Sequence, residues 1–587
     1  MKRGISVLLT LCVLLGSLTA CSSTPGTGQS GSSSESQEPK ILHAVANAGA
    51  TIANPLLATV ESDTDLAGYI TSGLYGYIPN EDGKGSSLVP MLAESEPVDV
   101  NGDGTVWQIA IRKDAQWSNG DPINADTFIY SWKMCLDPVL LMNKASALAS
   151  TYVTILNAKE YYSQATTGTK VDWESVGLKK IDEYTVEVTT DGDFSQQEVM
   201  RQFNIAASYP VYELLFEAGM NADRSETTYG TELSQIMSCG TFTLTEWVKG
   251  SEYKLEKNES WPYADMIKLD GMTVRAVEDK GTQQQMFDAG ELDYVLLDGA
   301  GVEKYAEDPR LTPGTSGYIR MIDICDTNPN QPILANLNFK KALFYSIDRE
   351  TIATLANKMP CTWLVPLTSV AYADGTTFRS LDIAKEYLPE NYGYDPEYAK
   401  ECFDKALEET GLSKVELSIT YGTTSADFKV IVEYLQEAWP QIFGADRFVL
   451  NLNGMPNAQS LELRKSSPTN PEAYELGCAD WSVSAGKYNP IKALEVFTST
   501  YSRRNAPYHC DAADALYEQS LDSSVRKDEK KLAEVTAAME KALLEEVAVI
   551  PVLENRTFYM FSDDIQLVFE EQDPSLAWGI KFADLNR

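Results

Sequence analysis

Apolar and polar positions alternate with a period of two in several stretches of this chain, which predicts half-buried strands. Residues 106–112 (VWQIAIR) and 184–190 (YTVEVTT) are two of them. Residues 241–247 and 253–257 flank Lys249-Gly250-Ser251, the pattern of a hairpin. Elsewhere the apolar residues recur at helical spacing. Ala125, Phe128, Ile129, Trp132 and Leu136 predict a helix that starts after Asn124 as N-cap. Residues 398–411 and 428–443 read as helices, with Trp439 on a core face. Residues 533–547 form a Gly-free, Ala/Leu/Glu-rich helical run, and 549–553 (VIPVL) a short buried strand. Ser118-Asn119-Gly120-Asp121-Pro122 is a turn, because Asn-Gly accepts left-handed angles and Pro122 fixes φ. Strand, turn and helix in this alternation predict an α/β protein.

A chain of 587 residues is too long for one hydrophobic core, and units of roughly 100–200 residues imply about three or four. Hydrophobic content of 43% and charged content of 23% fit an ordinary soluble globular protein. The net charge of −37 opposes nucleic-acid binding, which needs clustered Lys and Arg. It suits cationic or neutral ligands, although most of the carboxylates read as solvated surface. The two histidines are His43 and His509, and there is no HExxH, CxxC or Cys/His cluster, so neither a metal site nor a cofactor is expected. With no GxSxG elbow and no base histidine, nucleophilic catalysis has no candidate residues. The 85 acidic residues leave a secreted hydrolase with paired carboxylates open as a lesser reading.

Lys2 and Arg3 precede an apolar run at 5–15, shorter than the roughly 20 residues of a membrane span, so 1–20 reads as a signal peptide. Leu18-Thr19-Ala20-Cys21 resembles a bacterial lipobox, which implies cleavage before Cys21 and lipid on its sulfur. Residues 21–40 then form a flexible Ser/Gly/Thr/Gln-rich linker. A literal GxGxxG starts at Gly26, but no strand precedes it and no helix follows. Residues 99–104 (DVNGDG) open like a calcium loop, yet Ala110 stands where a bidentate Glu is required, so they read as a turn.

Arg112-Lys113-Asp114-Ala115, Trp117-Ser118-Asn119-Gly120-Asp121-Pro122, Ala125-Asp126-Thr127-Phe128 and Tyr130-Ser131-Trp132 together carry a specific resemblance. They resemble the signature of family 5 extracellular solute-binding proteins, the peptide, dipeptide and nickel receptors of ATP-binding-cassette importers. Asn54-Pro55-Leu56-Leu57-Ala58-Thr59, residues 69–77 as a first helix with its Gly-Leu-Tyr segment, and 287–294 (FDAGELDY) fit the same family. So do 338–343 (NFKKAL) and 346–349 (SIDR). The resemblance runs from about Ile41 to the end, with no unmatched domain and no internal repeat. It implies a bilobed, type II periplasmic-binding-protein-like α/β receptor with an additional domain and a discontinuous first lobe. The implied division is lobe I at 41–75, 206–318 and 550–587, an extra domain at 76–205, and lobe III at 319–549.

The implied function is a lipid-anchored, monomeric substrate-binding protein on the extracellular face of the cytoplasmic membrane of a Gram-positive-type bacterium. It would capture a small organic solute, foremost an oligopeptide, by hinge closure and deliver it to a permease dimer with its ATPases. An oligosaccharide or metal chelate as ligand, or a surface sensor on the same fold, are the alternatives. The family's cleft loop after the early proline corresponds to about 58–62, which makes Thr59, Val60 and Glu61 candidate ligand contacts. Tyr474-Glu475-Leu476-Gly477-Cys478-Ala479-Asp480-Trp481 resembles the peptide receptors' segment in which an aspartate faces the ligand ammonium. Asp480 has that role in one register, with Leu476 and Cys478 offering main chain and Trp481 a wall. In a second register, with Asn489-Pro490 aligned to the family's Asp-Pro, the acid is absent. Arg464 falls where some relatives pair a ligand carboxylate, or is an exposed helical arginine. Trp363 is a wall or core. Of nine cysteines, Cys12 leaves with the signal and Cys21 is lipidated. Seven remain (135, 239, 325, 361, 402, 478, 510), read as buried free thiols or as containing a Cys325–Cys478 bridge.

Overall fold

In the computed structural model of the protein, residues 38–466, 469–481, 485–499, 501 and 510–587 are described. The signal segment, Cys21, most of the linker and His509 lie outside them.

The alternating stretch at 106 becomes the strand Val106–Ala110, flanked in an antiparallel four-stranded sheet by Val98–Asp99 and Thr185–Thr189, with Leu178–Asp182 at the far edge. Trp107 and Ile109 point into the core. Asp99 accepts hydrogen bonds from the amides of Gly102 and Gly104, so 99–104 is a turn feeding this strand. The helix Ala125–Cys135 starts where expected. The Asn124 side chain accepts from the Thr127 amide while Thr127 Oγ1 accepts from the Asn124 amide. Phe128 and Trp132 on its inner face are fully buried.

A second sheet sets Ile41–Ala46 parallel to Gly271–Ala276, followed by Glu252–Lys257 and Phe242–Val248. The hairpin between the last two turns at Gly250, whose φ of +72 favours glycine. The core under this sheet joins distant parts of the chain: Leu42 and Ala44, the stretch from Met91 to Val274, and Phe582 and Leu585 near the end. The first lobe is therefore discontinuous.

The third sheet is built on two long antiparallel strands, Leu311–Ile324 and Val549–Phe561. Leu476–Trp481 pairs with the other side of Leu311–Ile324, followed by Val415–Gly422 and Phe448–Met455. The long strands serve two bodies. At one end Leu311, Phe558 and Met560 pack with Phe287 and Val295. At the other, Ile322, Ile324, Ile550 and Val552 pack under the helices Leu337–Tyr345, Pro396–Thr410 and Ala426–Phe443. Between these ends the pairing slips from Thr315 to Ile319, with Gly317 at φ +69. The molecule is thus a bilobed α/β protein whose lobes share two crossing strands.

Two expectations needed correction. The strand expected at 549–553 runs on to Phe561, because polar Glu554, Asn555 and Arg556 end the apolar run but lie at the crossing, between cores. The first helix is Glu61–Ile70 and not 69–77. Glu61 and Asp63 in its first turn complement the helix dipole. Beyond Ile70 the chain is extended, and Tyr75–Pro79 is a strand.

Candidate functional site

The helix Glu61–Ile70 presents Glu61, Asp65 and Tyr69 on one stripe, spaced by four, toward a cavity of about 480 Å³. Tyr253, Tyr294, Tyr559 and Trp578 line the other walls. Burial, and then the neighbouring Glu61 carboxylate, raise the Asp65 pKa to about 6. Lys280 in the same wall donates to Gln283 Oε1 at 3.1 Å, and burial lowers its pKa. A smaller cavity of about 180 Å³ shares Ser575, Leu576 and Lys581 with the first. Tyr488 in its wall comes from the other lobe's chain. That ring stacks on Tyr77 at 5.1 Å, and Arg201 Nη1 donates to the Tyr488 carbonyl at 2.8 Å.

Of the candidate contacts near the start of the chain, Val60 and Glu61 line the larger cavity, Val60 with 55% of its surface exposed. Thr59 is exposed just before them and is not part of that wall.

The second group lies on Leu476–Trp481. Leu476 and Cys478 are buried side chains of the core beneath the sheet, and the Leu476 main chain is paired on both edges, so of the two only the main chain of Cys478 is open to a ligand. Along one edge the whole strand pairs with Ile319–Ile324. Along the other, pairing with Val415–Gly422 covers only Leu476 and Gly477. Among the described residues no strand pairs with 478–481 on that side, which leaves an open edge. Asp480 sits on it, with its side chain 51% exposed and 3.6 Å from Arg320 Nη1. Arg320 also reaches Asp427 at 3.3 Å, and Lys358 lies 3.9 Å from the same carboxylate. The half-buried Trp481 packs against a lobe III core, and its indole donates to the Ala493 carbonyl at 3.2 Å.

Arg464 is buried, and its Nε donates to Asp323 Oδ2 at 2.7 Å, so an internal carboxylate already engages it. Trp363 Nε1 donates to Glu554 at 2.6 Å beside the strand crossing. The seven cysteines from Cys135 to Cys510 are free and buried, Cys325 and Cys478 included. Burial raises the Cys478 thiol pKa. Among the described residues no three His, Cys, Asp or Glu side chains gather as a metal site.

Sequence reasoning missed Asp65, Lys581, Arg320 and the tyrosine wall. The four-residue spacing Glu61–Asp65–Tyr69 was visible, but it gains meaning only once the helix start is placed at Glu61.

The profile of the bacterial extracellular solute-binding proteins, family 5 Middle, matches residues 87–504. The oligopeptide-binding protein OppA of Bacillus subtilis (strain 168) is 26% identical over 568 residues, 94% of each chain. The dipeptide-binding protein DppE of the same organism is 25% identical, covering 86% of this chain and 85% of its own. Among solved structures, Listeria monocytogenes OppA bound to peptide aligns with a TM-score of 0.63 at 21% identity, over 94% of this chain and 100% of that one. The murein tripeptide binding protein MppA in an unliganded open form aligns with a TM-score of 0.74 at 17% identity, over 94% and 98%. These structures share the bilobed type II periplasmic-binding-protein fold.

Proposed function

We propose, from the premise that this chain belongs to the bacterial extracellular solute-binding proteins of family 5, that it captures a peptide and delivers it to an ATP-binding-cassette importer. Proteins of this family are transport receptors and not enzymes, so no residue is assigned a catalytic role.

The open edge at 478–481 is the observation that carries the peptide reading. An extended peptide added there would satisfy main-chain donors and acceptors while tolerating many side chains. Asp480 on that edge is suited to the ligand ammonium, with Arg320 holding the carboxylate in the ligand's absence. The glutamate and valine at 60–61 face the same kind of ligand from the first lobe. The relatives named for oligopeptide and dipeptide binding support the same class.

Closure would turn on the strands Leu311–Ile324 and Val549–Phe561, the ligand shifting an open–closed equilibrium by touching both lobes only when closed. In this reading lobe I is 41–75, 206–318 and 550–587, the extra domain 76–205, and lobe III 319–549. The separate cores on either side of the crossing support the split of lobe III from the rest, although 550–553 pack in the lobe III core and lobe I and the extra domain share one core. The receptor would be a monomer held by lipid on Cys21 at the outer face of the cytoplasmic membrane and read by a permease dimer.

Calorimetry with a free-amine pentapeptide and its acetylated form, on wild type and Asp480→Asn, tests this. Closure would take Asp480 out of water, and truncating one partner of such a buried charge pair costs about 2–5 kcal/mol, roughly 30- to several-thousand-fold in affinity. Either change alone should weaken binding, and both together should cost much less than their sum. If the acetylated peptide binds the wild type as well as the free one, Asp480 is not the amine contact.

A further inference from the structure

One lysine stands where the two cavities meet. Lys581 lies two residues after Gly579, which has φ +61 and where a Cβ would fall 2.6 Å from Val568 Cγ2, so no side chain fits. This fixes the wall 575–581, which separates the two cavities, and Lys581 belongs to both. Its ammonium lies over the rings of Phe582, at 5.1 Å, and Trp261, at 6.0 Å. Among the described residues no carboxylate pairs with it and no acceptor hydrogen-bonds it. Among the described residues it is the one charged side chain in the wall of the smaller cavity. The larger cavity adds Glu61, Asp65 and Lys280. Burial lowers the Lys581 pKa to about 8.

A lone ammonium in an aromatic wall is costly unless something compensates it. Ring faces do so in part, but they offer no hydrogen-bond acceptor along the N–H directions. In a chain of net charge −37, an unpaired cation at a cavity junction is a site kept for an anionic group.

We propose that Lys581 receives a carboxylate of the bound ligand, at the junction of the two cavities between Trp261 and Trp578. This rests on the peptide-capture reading and extends it. The ligand would carry its ammonium toward lobe III and its carboxylate toward lobe I, so that only the closed form satisfies both charges. The carboxylate has two possible sources, the peptide's C-terminus or an acidic side chain.

The test is calorimetry with three probes: pentaalanine as the free acid, the same peptide as its C-terminal amide, and an amide carrying one glutamate. Each is titrated into wild type, Lys581→Met and Lys581→Arg. Methionine keeps the apolar stem against the rings and removes the charge, and thermal melts report its effect on folding. A hydrogen bond to a charged group predicts that wild type binds the free acid roughly 10- to 100-fold more tightly than the amide. K581M should bind both alike, at the amide's level, and K581R should keep part of the preference. A free acid that outbinds the plain amide assigns the carboxylate to the C-terminus, and a glutamate amide that outbinds it assigns the carboxylate to a side chain. Equal binding of all three probes by wild type, or a preference retained in K581M, overturns the assignment and leaves peptide capture standing. A lower melting temperature in K581M with the acid preference intact makes Lys581 a prop for Trp261, and also overturns it. Binding of none of the probes by wild type overturns the capture reading together with this one.

Discussion

Glu554 lies on the strand crossing with none of its surface exposed. Its carboxylate accepts from Trp363 Nε1 at 2.6 Å, the Leu367 amide at 3.1 Å and Thr315 Oγ1 at 3.2 Å. Burial outweighs these donors and raises its pKa from 4.5 to about 7. The folded state therefore holds a proton, between about pH 4.5 and pH 7, that the unfolded chain has already released. The resulting stabilisation is full below the unfolded pKa and is lost as pH rises through the folded one. At about 1.4 kcal/mol per pH unit the whole effect is about 3 kcal/mol, of which about 2.5 kcal/mol falls between pH 5 and pH 8. Urea unfolding followed by tryptophan fluorescence, at those two pH values, measures it on wild type and Glu554→Gln. The wild type should lose more stability from pH 5 to pH 8 than the variant, by about 2.5 kcal/mol. The same loss in both would mean that Glu554 is ionised in the folded state across this range, and the argument from burial would fail.

Arg464→Met removes the guanidinium from buried Asp323 and should cost about 3–5 kcal/mol in urea unfolding; a loss under about 1 kcal/mol would mean the pair is solvated. The seven cysteines from Cys135 to Cys510 should resist a thiol reagent in native protein and all react in urea without reductant, whereas a missing adduct by peptide mapping would reveal a disulfide. Cys21→Ser should release the protein into the medium, since lasting attachment takes more than one membrane signal, and retention in the membrane fraction would place the anchor elsewhere.

What could be read from the sequence was what local periodicity encodes. The strand Val106–Ala110 and helix Ala125–Cys135 each bury one face, and Asn124 and Thr127 cap the helix from within four residues. The full length of Val549–Phe561 was hidden, because Glu554, Asn555 and Arg556 look like a loop to any pattern of apolar residues. Their pairing partners, Thr315 to Ile319, lie far away in the chain. Asp480 was found through the resemblance of its segment, but the open edge beside it depends on where Val415–Gly422 stops pairing. Arg464 looked like a surface or ligand arginine because Asp323 lies 141 residues away. Lys581 was invisible for a similar reason: a lysine near a chain end is ordinarily solvated, and only the fold sets it among Trp261, Phe582 and two cavities.

Native mass spectrometry of protein purified without denaturation tests the central claim most directly. The expected result is a folded mass that carries peptide, released on unfolding as a set of free-amine peptides in one-to-one ratio with the chain. Release of only sugars or metal chelates, or a bare chain whose mass no peptide mixture shifts, would contradict it.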